Sequence, residues 1–174
     1  LFLIAGFVVA RVAIVLDNIG EETFYVLLEA WLLLQLSKTV TIYAKQEPTL
    51  FSDTTISDLR FSVLVFDDIM RNHFNKEYST NLSDFIKEGR LNVRELPYPY
   101  VYDGKYAEGH KVVTWDFSFL SEFSLAIISG ELQYGDFVRE QLRRVYKTSS
   151  VEPIIDIDKL NPFSNTVIVL RKTN

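Results

Sequence analysis

The sequence predicts an α/β protein, in which a mixed sheet is covered by helices, with a long apolar N-terminal helical region and a protruding β-hairpin. Three observations support this. Residues 1–45 are rich in apolar side chains, strand-like and helix-like segments alternate after residue 46, and a Pro/Tyr-rich segment ends in Asp103-Gly104, which is typical of a hairpin turn. At 174 residues the chain has the length of one ordinary domain. We expect an apolar helical segment over residues 1–45 and an α/β domain over residues 46–174.

The N-terminal part contains two apolar stretches. Residues 1–16 are apolar except for Arg11, and residues 24–43 carry only Glu29 and Lys38 as charged side chains. A membrane-spanning helix needs about 20 apolar residues. Two interpretations follow. Residues 1–43 form a membrane hairpin at the cytoplasmic face, or they form helices that are buried against each other or in the seam of a cytoplasmic homodimer.

The remaining segments are assigned from their periodicity and end signals. Strands are expected at 59–66, 91–96, 111–117 and 166–171, and helices at 67–75, 82–88, 118–128 and 136–147. Asn81 is the expected cap of the helix at 82–88.

Composition excludes several kinds of site. The net charge of −5 argues against binding to nucleic acid, and the absence of cysteine excludes thiolate catalysis and cysteine metal sites. The two histidines lack a zinc-site spacing, and no glycine-rich phosphate loop or nucleophile elbow is present. We therefore expect that the protein is not an enzyme and that it has no catalytic residues, no bound metal and no cofactor.

Asp67 and Asp68 follow the expected strand at 59–66. Carboxylates at the carboxyl end of a strand can hold Mg²⁺ in α/β folds. The alternative is a helix cap, which is the commoner use of such residues. We favour the cap.

The segment from Arg94 to Tyr102 is the richest candidate for binding. Tyr98, Tyr100 and Tyr102 are spaced two apart, so their rings share one face of an extended arm. Such a face beside Arg94 suits stacking on a nucleobase and pairing with a phosphate. The alternative is an aromatic edge strand that packs on its own domain or on a partner protein.

Three segments, "RFSVLVFDD", "VVTWDFSFLSEFSLAI" and "YGDFVREQLRRVY", follow one another in an order that resembles the cyclic-dinucleotide-binding domain of STING in its compact bacterial form. The resemblance implies a homodimer with a cyclic dinucleotide in its cleft and a hairpin lid over Arg94–His110. It implies ligand contacts from Asp116 and Ser118, and base stacking by Tyr25 or Trp31.

The expected function is therefore a STING-like sensor or effector of immune signalling and antiviral defence, which binds a small anionic ligand as a homodimer. One alternative is a structural or interaction subunit of a larger membrane-associated assembly. A third is a metal-dependent phosphotransfer or hydrolase domain that uses Asp67 and Asp68.

Overall fold

The computed structural model describes residues 9–48, 52–73, 81–97, 101–103, 112–114, 117–130, 144 and 166–171. The strands are β1 (Val9–Val15), β2 (Ser37–Ala44), β3 (Leu91–Glu95), β4 (Val101–Asp103), β5 (Val112–Thr114), β6 (Leu125–Gly130) and β7 (Thr166–Arg171). The helices are α1 (Glu21–Leu36), α2 (Ile56–His73), α3 (Leu82–Lys87) and a 3₁₀ helix (Phe117–Glu122).

Five strands form one sheet in the order β3-β2-β1-β6-β7. The strands β1, β2, β3 and β6 are parallel, whereas β7 pairs antiparallel to β6. Strands β4 and β5 pair antiparallel in a separate two-stranded sheet. From β1 the chain adds β2 and then β3 on one side of the sheet, and it later places β6 on the other side of β1. The sheet therefore has a topological switch point between β1 and β6. Crevices at the carboxyl ends of strands at such a point bind ligands in α/β proteins.

The first apolar stretch is the central strand of this sheet. Ile14 pairs with Ile42 of β2 and with Ile127 of β6, and residues 12–16 are at most 3% exposed. Ile14 packs into the core on one face of the sheet, and Val15 packs into the core on the other. A parallel strand that is covered on both faces consists almost entirely of apolar residues. The predicted long apolar N-terminal helical region is therefore wrong.

The second apolar stretch divides into two elements, because α1 ends at Leu36 and β2 begins at Ser37. One side of α1 packs on the sheet, while Tyr25 and Leu36 on the other side are 64% and 73% exposed. In the part of the chain that the structure describes, no helix is long and apolar enough to span a membrane. Residues 9–44 thus form a strand, a helix and a strand, and the predicted membrane hairpin is wrong.

Residues 59–66 are helical, and the predicted strand there is wrong. Within α2 the buried residues Leu59, Val63 and Phe66 follow the spacing of one helix face. Thr55 and Asp58 form a reciprocal capping box: the Asp58 N–H donates to Thr55 Oγ1 at 3.2 Å, and the Thr55 N–H donates to Asp58 Oδ2 at 3.0 Å. This local signal determines a helix where the apolar run alone indicates a strand.

The segment predicted as a helix over 118–128 also folds differently. It contains the end of the 3₁₀ helix and then β6, whose Ala126, Ile127 and Ile128 are buried between β1 and β7. The predicted helix at 82–88 and strands at 91–96 and 166–171 correspond to α3, β3 and β7. Of the predicted helix at 136–147, the structure describes only residue 144.

Candidate active site at the carboxyl edge of the sheet

The turn that follows β1 places polar residues at the switch point. The chain passes from β1 into α1 through Asp17, Asn18, Ile19 and Gly20. Gly20 has a φ of 96°, which residues with a Cβ rarely adopt. The glycine thus allows the strand to turn into the helix within a few residues, and Asp17 and Asn18 lie at the carboxyl edge of the sheet.

A second segment, residues 52–55, lies against this turn. The Thr54 N–H donates to the carbonyl oxygen of Asp17 at 2.7 Å, and Asn18 and Asp53 form an isolated antiparallel bridge. The hydroxyls of Thr54 and Thr23 lie 3.1 Å apart, which joins the segment to α1. Backbone pairing therefore determines the position of Asp53 beside the end of β1.

Lys45 follows β2 and lies between the two aspartates. Its Nζ contacts the Asp17 carboxylate, and it lies 2.5 Å from Asp53 Oδ1. The side chains of Lys45 and Asp53 are 4% and 1% exposed, and that of Asp17 is 13% exposed. One nearly buried ammonium group thus holds two carboxylates side by side at the edge of the sheet.

The carboxamide of Asn18 is held at both ends. Its Nδ2 donates to Glu22 Oε2 at 2.8 Å, and its Oδ1 accepts from Ser52 Oγ at 2.8 Å. The Glu22 carboxylate also accepts from the hydroxyl of Ser129, a buried residue of β6. The site therefore combines side chains from the β1–α1 turn, from α1, from β6 and from the connection between β2 and α2.

The charge of this cluster is negative. The carboxylates of Asp17, Glu22 and Asp53 contribute −3 and the ammonium of Lys45 contributes +1, which leaves −2 when all four groups are ionised. Among the described residues, no group of three or more acidic, histidine or cysteine side chains is arranged to hold a metal ion. What the site offers is hard oxygen atoms: two carboxylates that can orient or deprotonate water, and an amide oxygen beside them.

The model of one protein family, the damage-control phosphatase ARMT1-like domain, matches residues 8–173, almost the whole chain. The chain belongs to this family. The match includes every element of the ARMT1-like domain described above and therefore the cluster at its carboxyl edge. In a comparison with curated protein sequences, none matched significantly.

Membership of an enzyme family corrects four sequence-based expectations. The resemblance to STING, the sensor or effector function with a cyclic dinucleotide, the role in immune signalling and the absence of enzymatic activity are wrong. The structure shows why the resemblance misled. "RFSVLVFDD" lies in α2 and is not a strand, and "FSFLSEFSLAI" forms a 3₁₀ helix and β6 and is not a helix.

Of the residues predicted to bind a ligand, the structure of the ARMT1-like domain describes Tyr25, Trp31, Arg94 and Ser118. Trp31 of α1 packs on the core on one face of the sheet, whereas the 3₁₀ helix that carries Ser118 covers the other face. Tyr25 and Arg94 are exposed on α1 and on the edge strand β3. Tyr98, Tyr100 and Asp116 lie outside the described residues. The structure thus does not bring Trp31 and Ser118 together, and ligand contact by the other residues stays a prediction.

Asp67 and Asp68 do not follow a strand but lie in α2. Asp67 is buried, and its carboxylate accepts from the backbone N–H groups of Leu82 and Ser83 at 2.7 and 2.9 Å. Asp67 therefore caps the start of α3 from another helix, and Asn81 makes no side-chain cap bond there. The preference for a cap is consistent with the structure, although the capped helix is a different one.

Sequence reasoning missed the cluster itself. Asp17 and Asn18 lie between the two apolar stretches that were expected to be helical, although they directly follow the strand-like run "VARVAIVL". A strand interpretation of that run would have placed a carboxylate and an amide at a strand's carboxyl end, where ligands bind. Lys45 and Asp53 carry no such local signal. The parallel pairing of β1 and β2 brings Lys45 beside Asp17, and the pairing of residues 52–55 with the turn after β1 brings Asp53 there.

Proposed function

We propose that this ARMT1-like domain hydrolyses phosphate monoesters of small metabolites, with Asp17, Asn18, Lys45 and Asp53 at the reacting centre. The observation that carries the proposal is the convergence of two lysine-bridged carboxylates, one buried and one partly buried, and a held carboxamide at the switch point of the sheet. Membership of a phosphatase family supports phosphate ester hydrolysis as the reaction.

The residues present suit the hydrolysis. Water adds to phosphorus, the bond from phosphorus to the ester oxygen breaks, and an alcohol and inorganic phosphate leave. Asp17 is the more exposed of the two lysine-bridged carboxylates and is the better candidate to orient the water and accept its proton. Lys45 holds Asp17 against Asp53, which keeps the carboxylate in one position through the reaction.

The negative charge of the cluster predicts that hydrolysis needs a divalent cation. A phosphate dianion beside a site with a net charge of −2 is repelled, and the lysine is already shared by two carboxylates. The carboxylate of Asp17, that of Asp53 and the Oδ1 of Asn18 are hard donors of the kind that Mg²⁺ and Mn²⁺ take, and Mg²⁺ binds through one or two carboxylates while it keeps several waters. A bound cation would neutralise the phosphate oxygens.

A panel of sugar phosphates, nucleoside monophosphates and an aryl phosphate tests the proposal, with released inorganic phosphate as the signal. We expect release from at least one ester in the presence of Mg²⁺ or Mn²⁺, loss of release on addition of a chelator, and recovery when the cation is added back. Release that persists in the chelator would contradict the cation requirement. The absence of release from every ester with either cation would contradict the proposed reaction.

A further inference from the structure

Glu22 lies in the first turn of α1 and accepts hydrogen bonds from the turn after β1 and from β6. Its Oε1 accepts from the backbone N–H groups of Asp17 and Asn18, each at 3.2 Å, and from the hydroxyl of Ser129. Its Oε2 accepts from Asn18 Nδ2 at 2.8 Å. The carboxylate thus contacts both residues of the turn that belong to the proposed reacting centre.

These bonds determine the orientation of the Asn18 carboxamide. An amide group has nearly the same shape when its oxygen and nitrogen are exchanged, whereas an ionised carboxylate only accepts hydrogen bonds. Glu22 therefore binds the NH₂ end of Asn18 and excludes the oxygen. The oxygen is left on the side of Ser52, whose hydroxyl donates to it at 2.8 Å and whose neighbour is Asp53.

The hydroxyl of Ser129 extends this contact to the other side of the switch point. Ser129 is buried near the end of β6, the strand that pairs with β1. The Glu22 carboxylate thereby joins α1, the β1–α1 turn and β6 at one position. If Glu22 only capped α1, it would not need its contacts with Asn18 Nδ2 and with the Ser129 hydroxyl.

We infer that Glu22 is a positioning residue of this active site: it holds the Asn18 carboxamide with its oxygen toward Ser52, in the segment that carries Asp53, and so prepares the oxygen to bind the cation. The inference rests on the proposed function for its catalytic consequence, but the hydrogen bond between Glu22 and Asn18 can be tested without it.

The test is a double-mutant cycle with Glu22→Gln and Asn18→Asp, followed by thermal unfolding and by binding of Mn²⁺ measured by electron paramagnetic resonance. A glutamine at position 22 can turn an NH₂ group toward Asn18, so the Asn18 carboxamide is no longer held in one orientation. We expect Glu22→Gln alone to lower Mn²⁺ affinity about 10–100-fold, as is usual when a partner of a metal ligand is lost. The kcat should fall with little change in KM for the ester.

In the wild-type background Glu22→Gln should also lower the unfolding temperature, and in the Asn18→Asp background this effect on the unfolding temperature should reverse. There two carboxylates face each other, and a glutamine at position 22 can donate to the new carboxylate, so Glu22→Gln should raise the unfolding temperature. Glu21→Gln, a change at the exposed neighbouring residue, is the matched control and should alter neither quantity. Equal effects of Glu22→Gln in both backgrounds would overturn the inference. Reversal of the effect in a protein that releases phosphate from no ester would uphold the positioning role and overturn only the proposed function.

Discussion

Replacement of Lys45 by methionine tests the structural account of the site most severely. Methionine keeps the length of the side chain but removes the ammonium group, so the carboxylates of Asp17 and Asp53 lose their common partner while they remain 13% and 1% exposed. Removal of one partner of a buried ion pair costs about 3–5 kcal/mol, because the other charge stays buried without compensation.

The expected fall in unfolding temperature follows from this cost. In a domain of 150–250 residues, 1 kcal/mol corresponds to about 2–4 °C. Lys45→Met should therefore lower the unfolding temperature by roughly 6–20 °C at pH 7, measured by circular dichroism. Lys38→Met is the matched control, because Lys38 is an exposed lysine of β2, the strand that Lys45 follows, and it should change the free energy of unfolding by less than about 0.5 kcal/mol.

A triple variant distinguishes stranded charge from altered packing. When Asp17→Asn and Asp53→Asn are added to Lys45→Met, no buried carboxylate is left without a partner, so at least half of the lost stability should return. If the triple variant is as unstable as Lys45→Met, or if Lys45→Met and Lys38→Met unfold at the same temperature, the reasoning about the buried ion pairs is refuted.

The remaining predictions concern α1, α2 and the turn. Burial raises the pKa of Glu29 from 4.5 to about 7. The folded state therefore holds this proton more tightly than the unfolded state, and stability should decrease between about pH 4.5 and pH 7, by up to about 3 kcal/mol, and stay level above that range. Glu29→Gln should remove this decrease in urea unfolding curves recorded from pH 4 to pH 8, and an unchanged pH profile would contradict the burial. Asp67→Ala should cost about 2 kcal/mol, because the N–H groups at the start of α3 lose their acceptor, whereas Asp68→Ala at an exposed position should cost less than about 0.5 kcal/mol. Equal costs in urea unfolding would refute the cap. Gly20→Ala should lower the free energy of unfolding by about 1–3 kcal/mol through backbone conformation alone, since no atom lies within 4 Å of the added Cβ. A neutral Gly20→Ala change would show that the turn adopts another conformation. The homodimer stays a prediction: if the exposed side of α1 forms it, Leu36→Glu should convert a dimer into a monomer in light scattering, and a protein that is monomeric without the change would exclude it.

The two edge strands of the main sheet could be predicted from the sequence, but its three central strands could not. The expected strands at 91–96 and 166–171 correspond to β3 and β7. The first lies between the end signals Gly89 and Pro97, and the second is a short apolar run. The run before Asp17 has the same composition whether it is a buried helix or a central parallel strand. Periodicity cannot decide between the two structures, because the alternation of apolar and polar residues disappears when both faces of the segment are buried.

At residues 59–66 the apolar run favoured a strand, yet the capping box of Thr55 and Asp58 starts a helix that continues to His73. The capping signal is local and was available in the sequence. The candidate cluster was harder to predict, because Lys45 lies 28 residues from Asp17 and meets it only when β1 and β2 pair in parallel. Because β1 was assigned to a helix, neither the centre of the sheet nor the cluster at its carboxyl edge could be predicted.

The release of phosphate by Asp17→Asn is the most direct test of the claim that the carboxyl edge of the sheet hydrolyses phosphate esters. The variant should be compared with the wild-type protein and with Asp68→Asn, a change at an exposed carboxylate on α2, on the ester that the wild-type protein hydrolyses best and with saturating Mn²⁺. The account predicts that Asp17→Asn lowers kcat at least about 100-fold, as is typical for loss of a general base, while Asp68→Asn leaves it unchanged. A folded Asp17→Asn protein with the wild-type kcat would contradict it.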